Sequence, residues 1–249
     1  DVVDPQPTDR GDVIVDSRVW HEIDLSIRSV TDRRDILLAA GFSTSRGLML
    51  AGPPGVGKTA VARVIAHELV AQGFTVMLVD PDVGSRCLSS LYAHAAELSP
   101  SVVVLDDVDL YTGRRGGHTD DGLGAFLSAL DGARRHNDVL SVATTNDPKA
   151  MDAAAIRASR FDSIIEMGLP SDQAAERILT RSLTALDHSV DVHQVVRAFP
   201  PERSGADICE AVRRAILTVD DGVRIGTADL IGVISAGSYR AELPTGAYL

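Results

Sequence analysis

Residues 52–59 constrain the fold of this chain more than any other part of its 249 residues. Their sequence, Gly-Pro-Pro-Gly-Val-Gly-Lys-Thr, matches the pattern G-x-x-x-x-G-K-[ST] at every position. The apolar run Leu48–Ala51 precedes them, and a helical pattern over Lys58–Gln72 follows them. Glycine lets the backbone curl so that successive N–H groups point inward at the start of a helix, where the helix dipole favours an anion. The segment therefore predicts a strand, a phosphate-binding loop and a helix; the alternative is a plain turn before a helix.

The side chains of this loop indicate which ligand it binds. Lys58 would reach the β- and γ-phosphates of a nucleotide, and the Thr59 hydroxyl would be a ligand of Mg²⁺. Only Lys58 and Lys149 among the 24 Lys and Arg residues are lysines, so a lysine at this position is hard to attribute to chance. We therefore predict ATP and Mg²⁺ as cofactors, with the nucleotide bound by Pro54, Gly55, Val56, Gly57, Lys58, Thr59 and Ala60.

Two carboxylates follow the apolar run Val102–Leu105. An uninterrupted apolar run is typical of a central strand that is buried on both faces, and ligands of open α/β sheets bind at the carboxyl edge of the strands. Asp106 could hold Mg²⁺ through its water shell and so complement Thr59. Asp107 could orient or deprotonate the attacking water. The alternative is a strand that ends in acidic residues without chemistry.

Short apolar runs alternate with amphipathic segments up to about residue 168, a pattern typical of a parallel sheet with crossover helices. Strands are predicted at 48–51, 75–79, 102–105, 140–143 and 164–167. Helices are predicted at 18–40 with a break near Thr31, and at 58–72, 85–98 and 120–135. The predicted fold class is α/β, a P-loop NTPase three-layer sandwich with a parallel five-stranded sheet.

Pro170 marks a change in the pattern, because no strand signal follows it. Helices are predicted at 172–186, 191–198, 204–219 and 227–236. The predicted domains are a flexible lead-in (1–17), the α/β nucleotide-binding domain (18–168), a small all-helical lid domain (169–238) and a C-terminal tail (239–249).

Charge and composition narrow the range of partners and compartments. The formal net charge of −11 argues against general nucleic-acid binding, which depends on neutralising phosphates with Lys and Arg. The wholly apolar runs have only a few residues, against the roughly 20 that a membrane helix needs. Cys87 and Cys209 lie far apart and lack metal-ligand spacing. We expect a cytoplasmic protein with reduced cysteines and no membrane segment.

Ordered motifs over about residues 40–220 resemble the AAA family within the AAA+ ATPases, in particular FtsH-type proteases, proteasomal ATPases, katanin-like severing proteins and the valosin-containing-protein group. Besides the loop and the paired acids, the similar segments are Ser45-Arg46-Gly47-Leu48-Met49-Leu50, Leu130-Asp131-Gly132, Val142-Ala143-Thr144-Thr145-Asn146, Ala155-Ile156-Arg157-Ala158-Ser159-Arg160-Phe161-Asp162 and Ser204-Gly205-Ala206-Asp207-Ile208.

The resemblance implies roles for five further residues. Asn146 would contact the γ-phosphate and position water, and Gly205 and Ala206 would lie close to the adenine or ribose. Arg157 and Arg160 would project into the ATP site of a neighbouring subunit, which implies a homo-oligomer, most simply a hexamer. Arginine suits that role because its fork meets phosphate oxygens bidentately. The alternative for both arginines is a surface salt bridge.

Two positions depart from the family pattern. Asp107 stands where the family usually has Glu, so the carboxylate lies about one methylene further back and hydrolysis is expected to be slower. The counterpart of the aromatic pore loop is Asp82-Val83-Gly84, without an aromatic; a plain turn is the alternative. A second central-loop candidate is the basic segment Arg114-Arg115-Gly116-Gly117-His118, with a solvated loop as its alternative.

These observations leave three hypotheses for function. The first is a Mg²⁺-dependent ring ATPase that remodels or translocates a protein partner. The second is a slow-hydrolysing, nucleotide-dependent assembly factor that does not thread polypeptide, which Asp107 and the Asp82-Val83-Gly84 loop favour. The third is a DNA-linked AAA+ protein, which rests only on Arg114 and Arg115.

Overall fold

The computed structural model describes residues 9–79, 87–109, 128, 130–132, 136–146, 161–220 and 224–240. The chain divides into two compact units. The first contains residues 1–53 and 58–167, and the second contains residues 168–249 together with residues 54–57. The division after residue 167 lies close to the predicted domain boundary, while the assignment of the second unit as a lid stays a prediction.

The first unit begins with a 3₁₀ turn and two helices, α1 (Ser17–Val30) and α2 (Arg34–Ala39). The Asp16 carboxylate accepts a hydrogen bond from the N–H of Arg18 at 2.8 Å and caps the start of α1. The two helices are separated at residues 31–33, near the predicted break at Thr31. The buried apolar side chains of α1 recur at helical spacing along one face: Val19, Ile23, Ile27 and Val30.

Arg10, in the 3₁₀ turn Arg10–Asp12, attaches the start of the chain to two helices. Its guanidinium donates to both carboxylate oxygens of Glu68 at 2.5 and 2.7 Å, and to Asp24 on α1 at 2.6 Å. It also lies over the ring of Trp20, 4.7 Å from the centroid. These hydrogen bonds raise the pKa of Arg10 far above its ordinary value. Within the predicted lead-in, Arg10 is thus attached to α1 and to Glu68, while the flexibility of the lead-in stays a prediction.

A parallel five-stranded sheet forms the centre of the first unit, with the order β2-β3-β4-β1-β5. Its strands are β1 (Arg46–Ala51), β2 (Thr75–Val79), β3 (Ser101–Leu105), β4 (Val139–Thr145) and β5 (Ser163–Glu166). The crossover helices α3 (Lys58–Ala71) and α4 (Leu88–Glu97) also lie within the predicted segments. The predicted α/β fold class is thus confirmed.

Helices pack on both faces of the sheet. Met49 of β1 and Val103 of β3 belong to a buried cluster with Leu88 and Tyr92 of α4. Side chains alternate between the faces of a strand, so the neighbours of Met49 point to the opposite face. Helix α1 also packs on the sheet, against β1, β4 and β5. Helix α3 packs against β2, β3 and β4. The result is the predicted three-layer arrangement.

The strand register brings three carboxyl ends to the same edge of the sheet. Ala51 at the end of β1 pairs with Thr145 of β4, and Leu105 at the end of β3 pairs with Ala143 of β4. The residues that follow these strands therefore lie together at this edge of the sheet. They include Gly52, Asp106 and Asn146.

The described residues of the second unit form four helices: α5 (Asp172–Leu183), α6 (Val192–Ala198), α7 (Gly205–Thr218) and α8 (Thr227–Ser235). The side chains of Ser171, Asp191 and Ser204 accept backbone N–H groups and cap α5, α6 and α7. The unit is not entirely helical, which corrects one detail of the prediction. His188–Ser189 (β6) and Ile225–Gly226 (β7) form a parallel pair, and two residues are too few to produce a recognisable alternation.

The described parts of the predicted helix at 120–135 are residue 128 and Leu130–Gly132, which are helical. The rest of that prediction lies outside the described residues. Within the described residues, the helices are all too short or too polar to cross a membrane.

Candidate functional site

The loop that follows β1 begins at Gly52, whose environment admits only glycine. Its N–H donates to the carbonyl of Thr145 at 3.2 Å, so the loop starts in contact with β4. A Cβ atom added at Gly52 would lie 2.0 Å from the carbonyl oxygen of Met167. The backbone then turns through Gly55 and Gly57, with φ of +79° and +97°, conformations that favour glycine. The glycine spacing of the motif is thus a steric requirement of this loop.

Lys58 is the first residue of α3, and its side chain folds back under the loop. The ammonium group donates to the carbonyls of Gly52 and Pro53 and to Oδ1 of Asn146, each at 2.8 Å. The residue is only 5% exposed. An ammonium group has three protons, so these three acceptors use all of its donors. A phosphate oxygen that reached Lys58 would have to replace one of them.

Thr59 and Asp106 form the second part of the site. The Thr59 hydroxyl lies 2.9 Å from Oδ1 and 3.0 Å from Oδ2 of Asp106, and it donates to that carboxylate. The hydroxyl of Thr144 in β4 also donates to Oδ1 of Asp106, at 2.6 Å. The two predicted metal ligands therefore lie side by side, on α3 and directly after β3.

Asp107 has a left-handed backbone conformation, with φ of +48°. Asp is one of the few residues enriched in that region of φ. Its N–H donates to the Thr144 hydroxyl at 2.8 Å, and its Oδ1 accepts a hydrogen bond from Nδ2 of Asn146 at 2.9 Å. Asn146 therefore connects Lys58 to Asp107 through its two amide atoms, so three predicted catalytic residues form one hydrogen-bonded chain.

Asp109 is a member of the site that the sequence reasoning missed. Its Oδ1 accepts a hydrogen bond from the N–H of Asn146 at 3.2 Å. Its charge also acts on both Lys58 and Asp107. The signal was available, because the acidic pair is followed two residues later by a third Asp.

Burial and charge shift two pKa values in the site. Burial lowers the pKa of Lys58 below its ordinary value, although the carboxylates of Asp107, Asp109 and Asp106 oppose the shift. Burial also raises the pKa of Asp107, and the charges of Asp106 and Asp109 act in the same direction. The hydrogen bond from Asn146 and the charge of Lys58 oppose that increase. A carboxylate with a raised pKa is a suitable proton acceptor at neutral pH.

The raised pKa of Asp107 leads to a prediction about stability. The folded state holds the Asp107 proton more tightly than the unfolded chain, in which the pKa is near 3.8. The ionised carboxylate therefore destabilises the fold at neutral pH, and that cost disappears as the pH falls through the raised pKa toward the unfolded value. Asp107→Asn, which keeps the acceptor for Asn146, is expected to raise Tm at pH 7.

The measurement is thermal unfolding of both proteins without nucleotide or Mg²⁺, from pH 7 down to about pH 4. The advantage of the Asn variant should shrink over this range, since the wild-type carboxyl becomes neutral. A difference in Tm that stayed constant with pH would show that ionisation of Asp107 is not its cause.

The tip of the loop, residues 54–57, groups with the second compact unit. Within that unit, the N–H of Ala206 donates to the carbonyl of Gly55 at 3.0 Å. A Cβ atom at Gly205 would lie 3.2 Å from the same carbonyl oxygen. Gly205 and Ala206 are the first residues of α7, and Ser204 and Asp207 close its capping box. Because Gly205 and Ala206 are small, their backbone can lie close to the carbonyl of Gly55.

Several predicted site residues cannot be placed. Arg157 and Arg160 lie outside the described residues, as do both central-loop candidates, Asp82–Gly84 and Arg114–His118. The end of the arginine segment is described: Phe161 belongs to the buried cluster, and Asp162 accepts a hydrogen bond from the N–H of Gly47 at 2.8 Å.

The donors present fit a nucleotide that carries its own metal ion. A Gly-rich loop, a buried ammonium and a helix N-terminus suit phosphate, and Thr59 with Asp106 suits a hard cation. Among the described residues, there is no group of three or more His, Cys, Asp or Glu side chains that could hold a metal ion. Mg²⁺ usually binds through one or two carboxylates together with substrate phosphates and water. The site therefore fits Mg²⁺ that arrives with phosphate.

The sheet order, the loop and the paired carboxylates define a P-loop nucleotide-binding domain. The family model described as "ATPase family associated with various cellular activities (AAA)" matches residues 48–169. Residues 48–169 thus form an ATPase domain of this AAA family, as the motifs implied.

Three relatives illustrate the range of similar proteins. The ATP-dependent zinc metalloprotease FtsH 4 of Sphaerobacter thermophilus is 35% identical over 72% of this chain and 29% of the relative. The proteasome-activating nucleotidase of Methanothermobacter thermautotrophicus is 30% identical over 83% of this chain and 58% of the relative. The peroxisomal ATPase PEX6 of Cricetulus griseus is 30% identical over 78% of this chain and 22% of the relative. The chain thus spans less than two thirds of each of these relatives.

Proposed function

We propose that this chain binds and hydrolyses Mg²⁺-ATP as the motor module of a ring-forming ATPase that acts on a protein partner. The observation that carries the proposal is the hydrogen-bonded chain Lys58–Asn146–Asp107, beside the contact between Thr59 and Asp106. It supports the proposal because an ammonium group, an amide and a carboxylate lie next to the two side chains that we propose as metal ligands.

Each side chain has a role that its position supports. Lys58 and the loop backbone bind the phosphates, while Thr59 and Asp106 would hold Mg²⁺, which supplies neutralising charge on the phosphate oxygens. Asp107 accepts a hydrogen bond from the attacking water and takes its proton. Asn146 already bridges the ammonium and the carboxylate, so it can orient water between Asp107 and the phosphate.

A protein partner is supported by the names of the relatives. One is a metalloprotease that depends on ATP, and another activates the proteasome. Arg157 and Arg160 are proposed to complete the ATP site of the adjacent subunit, where a cation would stabilise the charge of the transition state. A head-to-tail contact of this kind closes into a ring when its rotation permits.

The slow assembly factor stays open as a second function, because one observation favours it. Asp107 has one methylene fewer than Glu, and both its backbone N–H and its carboxylate are already held, by Thr144 and Asn146. Such a carboxylate cannot move forward freely to reach a distant water. Hydrolysis by this site could therefore be slow while nucleotide binding remains strong.

The test is a complementation experiment with two inactive variants. Lys58→Ala lacks the ammonium group that would bind phosphate but keeps both arginines. Arg157→Ala lacks one of these arginines but keeps the phosphate-binding loop. Each alone should hydrolyse Mg²⁺-ATP poorly, and the wild-type rate per subunit should rise with protein concentration. In a 1:1 mixture, about a quarter of randomly assembled head-to-tail interfaces would combine an intact loop with an intact arginine.

Recovery of activity in the mixture, and again with Arg160→Ala in place of Arg157→Ala, would support a site shared between subunits. If the wild-type rate were low, independent of concentration and indifferent to Arg157, the assembly-factor function would replace the ring ATPase. Stimulation of the wild-type rate by an unfolded protein would separately support a protein substrate.

A further inference from the structure

We propose that Thr144 is the residue that positions both carboxylates of the site, and this inference rests on the proposed ATP hydrolysis. Thr144 lies in β4, is fully buried and is not a predicted ligand of either nucleotide or metal. Its hydroxyl donates to Oδ1 of Asp106 at 2.6 Å and accepts the N–H of Asp107 at 2.8 Å. One oxygen atom therefore contacts the proposed metal ligand and the proposed base.

The two hydrogen bonds have different consequences. A hydroxyl has a single proton, and in Thr144 it is directed at Asp106, which leaves the second oxygen of that carboxylate, Oδ2, for Thr59 or for the water shell of a metal. Carboxylates that hold metals are generally oriented by such hydrogen bonds. The Thr144 hydroxyl therefore sets the direction of the Asp106 carboxylate.

The acceptor side of the same hydroxyl holds a strained backbone. Asp107 has φ of +48°, a left-handed conformation that carries a steric cost for a residue with a Cβ atom. The Thr144 hydroxyl accepts the N–H of Asp107, and the Thr144 carbonyl accepts the N–H of Val108 at 2.8 Å. These bonds offset the strain and keep the Asp107 side chain directed at Asn146. Without the hydroxyl, the peptide between Asp106 and Asp107 loses its support at the point where both side chains begin.

Another buried hydroxyl on the same strand provides a matched control. Ser141 is 3% exposed and accepts a hydrogen bond from the Tyr92 hydroxyl of α4 at 3.0 Å. It precedes Thr144 by three residues, and its hydroxyl bonds to α4 rather than to the carboxylates of the site. Ser141→Ala therefore removes a buried hydrogen bond from β4 without touching the site.

The experiment compares Thr144→Val, which keeps the branched shape, with Thr144→Ser, which keeps the hydroxyl, and with Ser141→Ala. Loss of the positioning bond is expected to lower kcat and to weaken Mn²⁺ binding in the presence of ADP, each by roughly 10–100-fold. KM for ATP should change by less than about threefold, since Lys58 and the loop are intact. Thr144→Ser should restore most of both properties, and Ser141→Ala should keep both.

Mn²⁺ binding is followed by electron paramagnetic resonance and does not require turnover. If wild-type protein failed to hydrolyse ATP, the proposed function would be wrong, but the Mn²⁺ comparison would still test Thr144. The inference would be overturned if Thr144→Val bound Mn²⁺ as tightly as the wild type. It would also be overturned if Thr144→Ser and Thr144→Val lost Mn²⁺ affinity equally. If the valine variant did not fold, Thr144→Cys, with its weakly hydrogen-bonding thiol, would take its place under the same criteria.

Discussion

Replacing Lys58 by alanine is expected to lower ATP hydrolysis by about 10²–10³-fold, the usual loss for one preorganised donor in a catalytic site. The ammonium is buried and directed by three acceptors, so its position at the loop is well defined. Alanine removes the lysine of the phosphate-binding loop, and water cannot supply a fixed positive charge there. Steady-state phosphate release with Mg²⁺-ATP measures the effect, and binding of a fluorescent nucleotide should weaken in parallel.

The chain offers a matched control for this substitution, because Lys149 is its only other lysine. Lys149→Ala removes the same charge from the chain and is expected to hydrolyse ATP at a rate within about twofold of wild type, since no role in the site is assigned to it. Circular dichroism would establish that both variants are folded. Retention of hydrolysis in Lys58→Ala would mean that the loop does not bind the reacting phosphates.

Gly52→Ala is expected to destabilise the first unit by about 4 kcal/mol or more, which is exceptional for one methyl group. The new Cβ atom would lie 2.0 Å from the Met167 carbonyl oxygen, a backbone atom. The Met167 peptide cannot move away easily, because its N–H is bonded to the carbonyl of Ala51 at 2.7 Å. Relief of the clash would therefore disrupt the end of β1 and the start of the phosphate loop.

Urea unfolding of the variant measures this cost, and nucleotide binding should be lost with it. Gly232 in α8 is the control, since a Cβ atom there meets nothing within 4 Å. Gly232→Ala should stabilise the protein by about 0.5–1 kcal/mol, because alanine is the better helix former. If Gly52→Ala had the same midpoint of urea unfolding as the wild type, the inferred clash with the Met167 carbonyl would be wrong.

Local sequence pattern predicted most of the fold because most helices and strands have a recognisable pattern within a few residues. The run Val102–Leu105 has no polar interruption and became the buried β3, and Gly73, with φ of +86°, terminates α3 where the prediction ended it. The loop could be recognised because its glycines are required by local sterics. The same motif predicted roles for Lys58 and Thr59, and the position of Asp106 after the apolar run predicted its role.

Contacts between distant residues could not be predicted in this way. Thr144 is 38 residues from Asp106, and nothing in the pattern of β4 distinguishes its hydroxyl from that of Ser141 or Thr145. The sequence does not predict the left-handed conformation of Asp107 either, because Asp also occurs in ordinary backbone conformations. The β6–β7 pair was missed because each strand has only two residues.

The attachment of Arg10 to Glu68 has a mechanical consequence. Its guanidinium carries a permanent charge, and its two carboxylate partners lie on different helices, Glu68 on α3 and Asp24 on α1. A pull on the chain ahead of Arg10 would act through its side chain on Glu68 of α3 as well as on Asp24 of α1. Lys58 lies ten residues earlier on the same helix, about 15 Å along its axis. Tension on the chain at Arg10 would thus act, through its side chain, on the helix that carries Lys58.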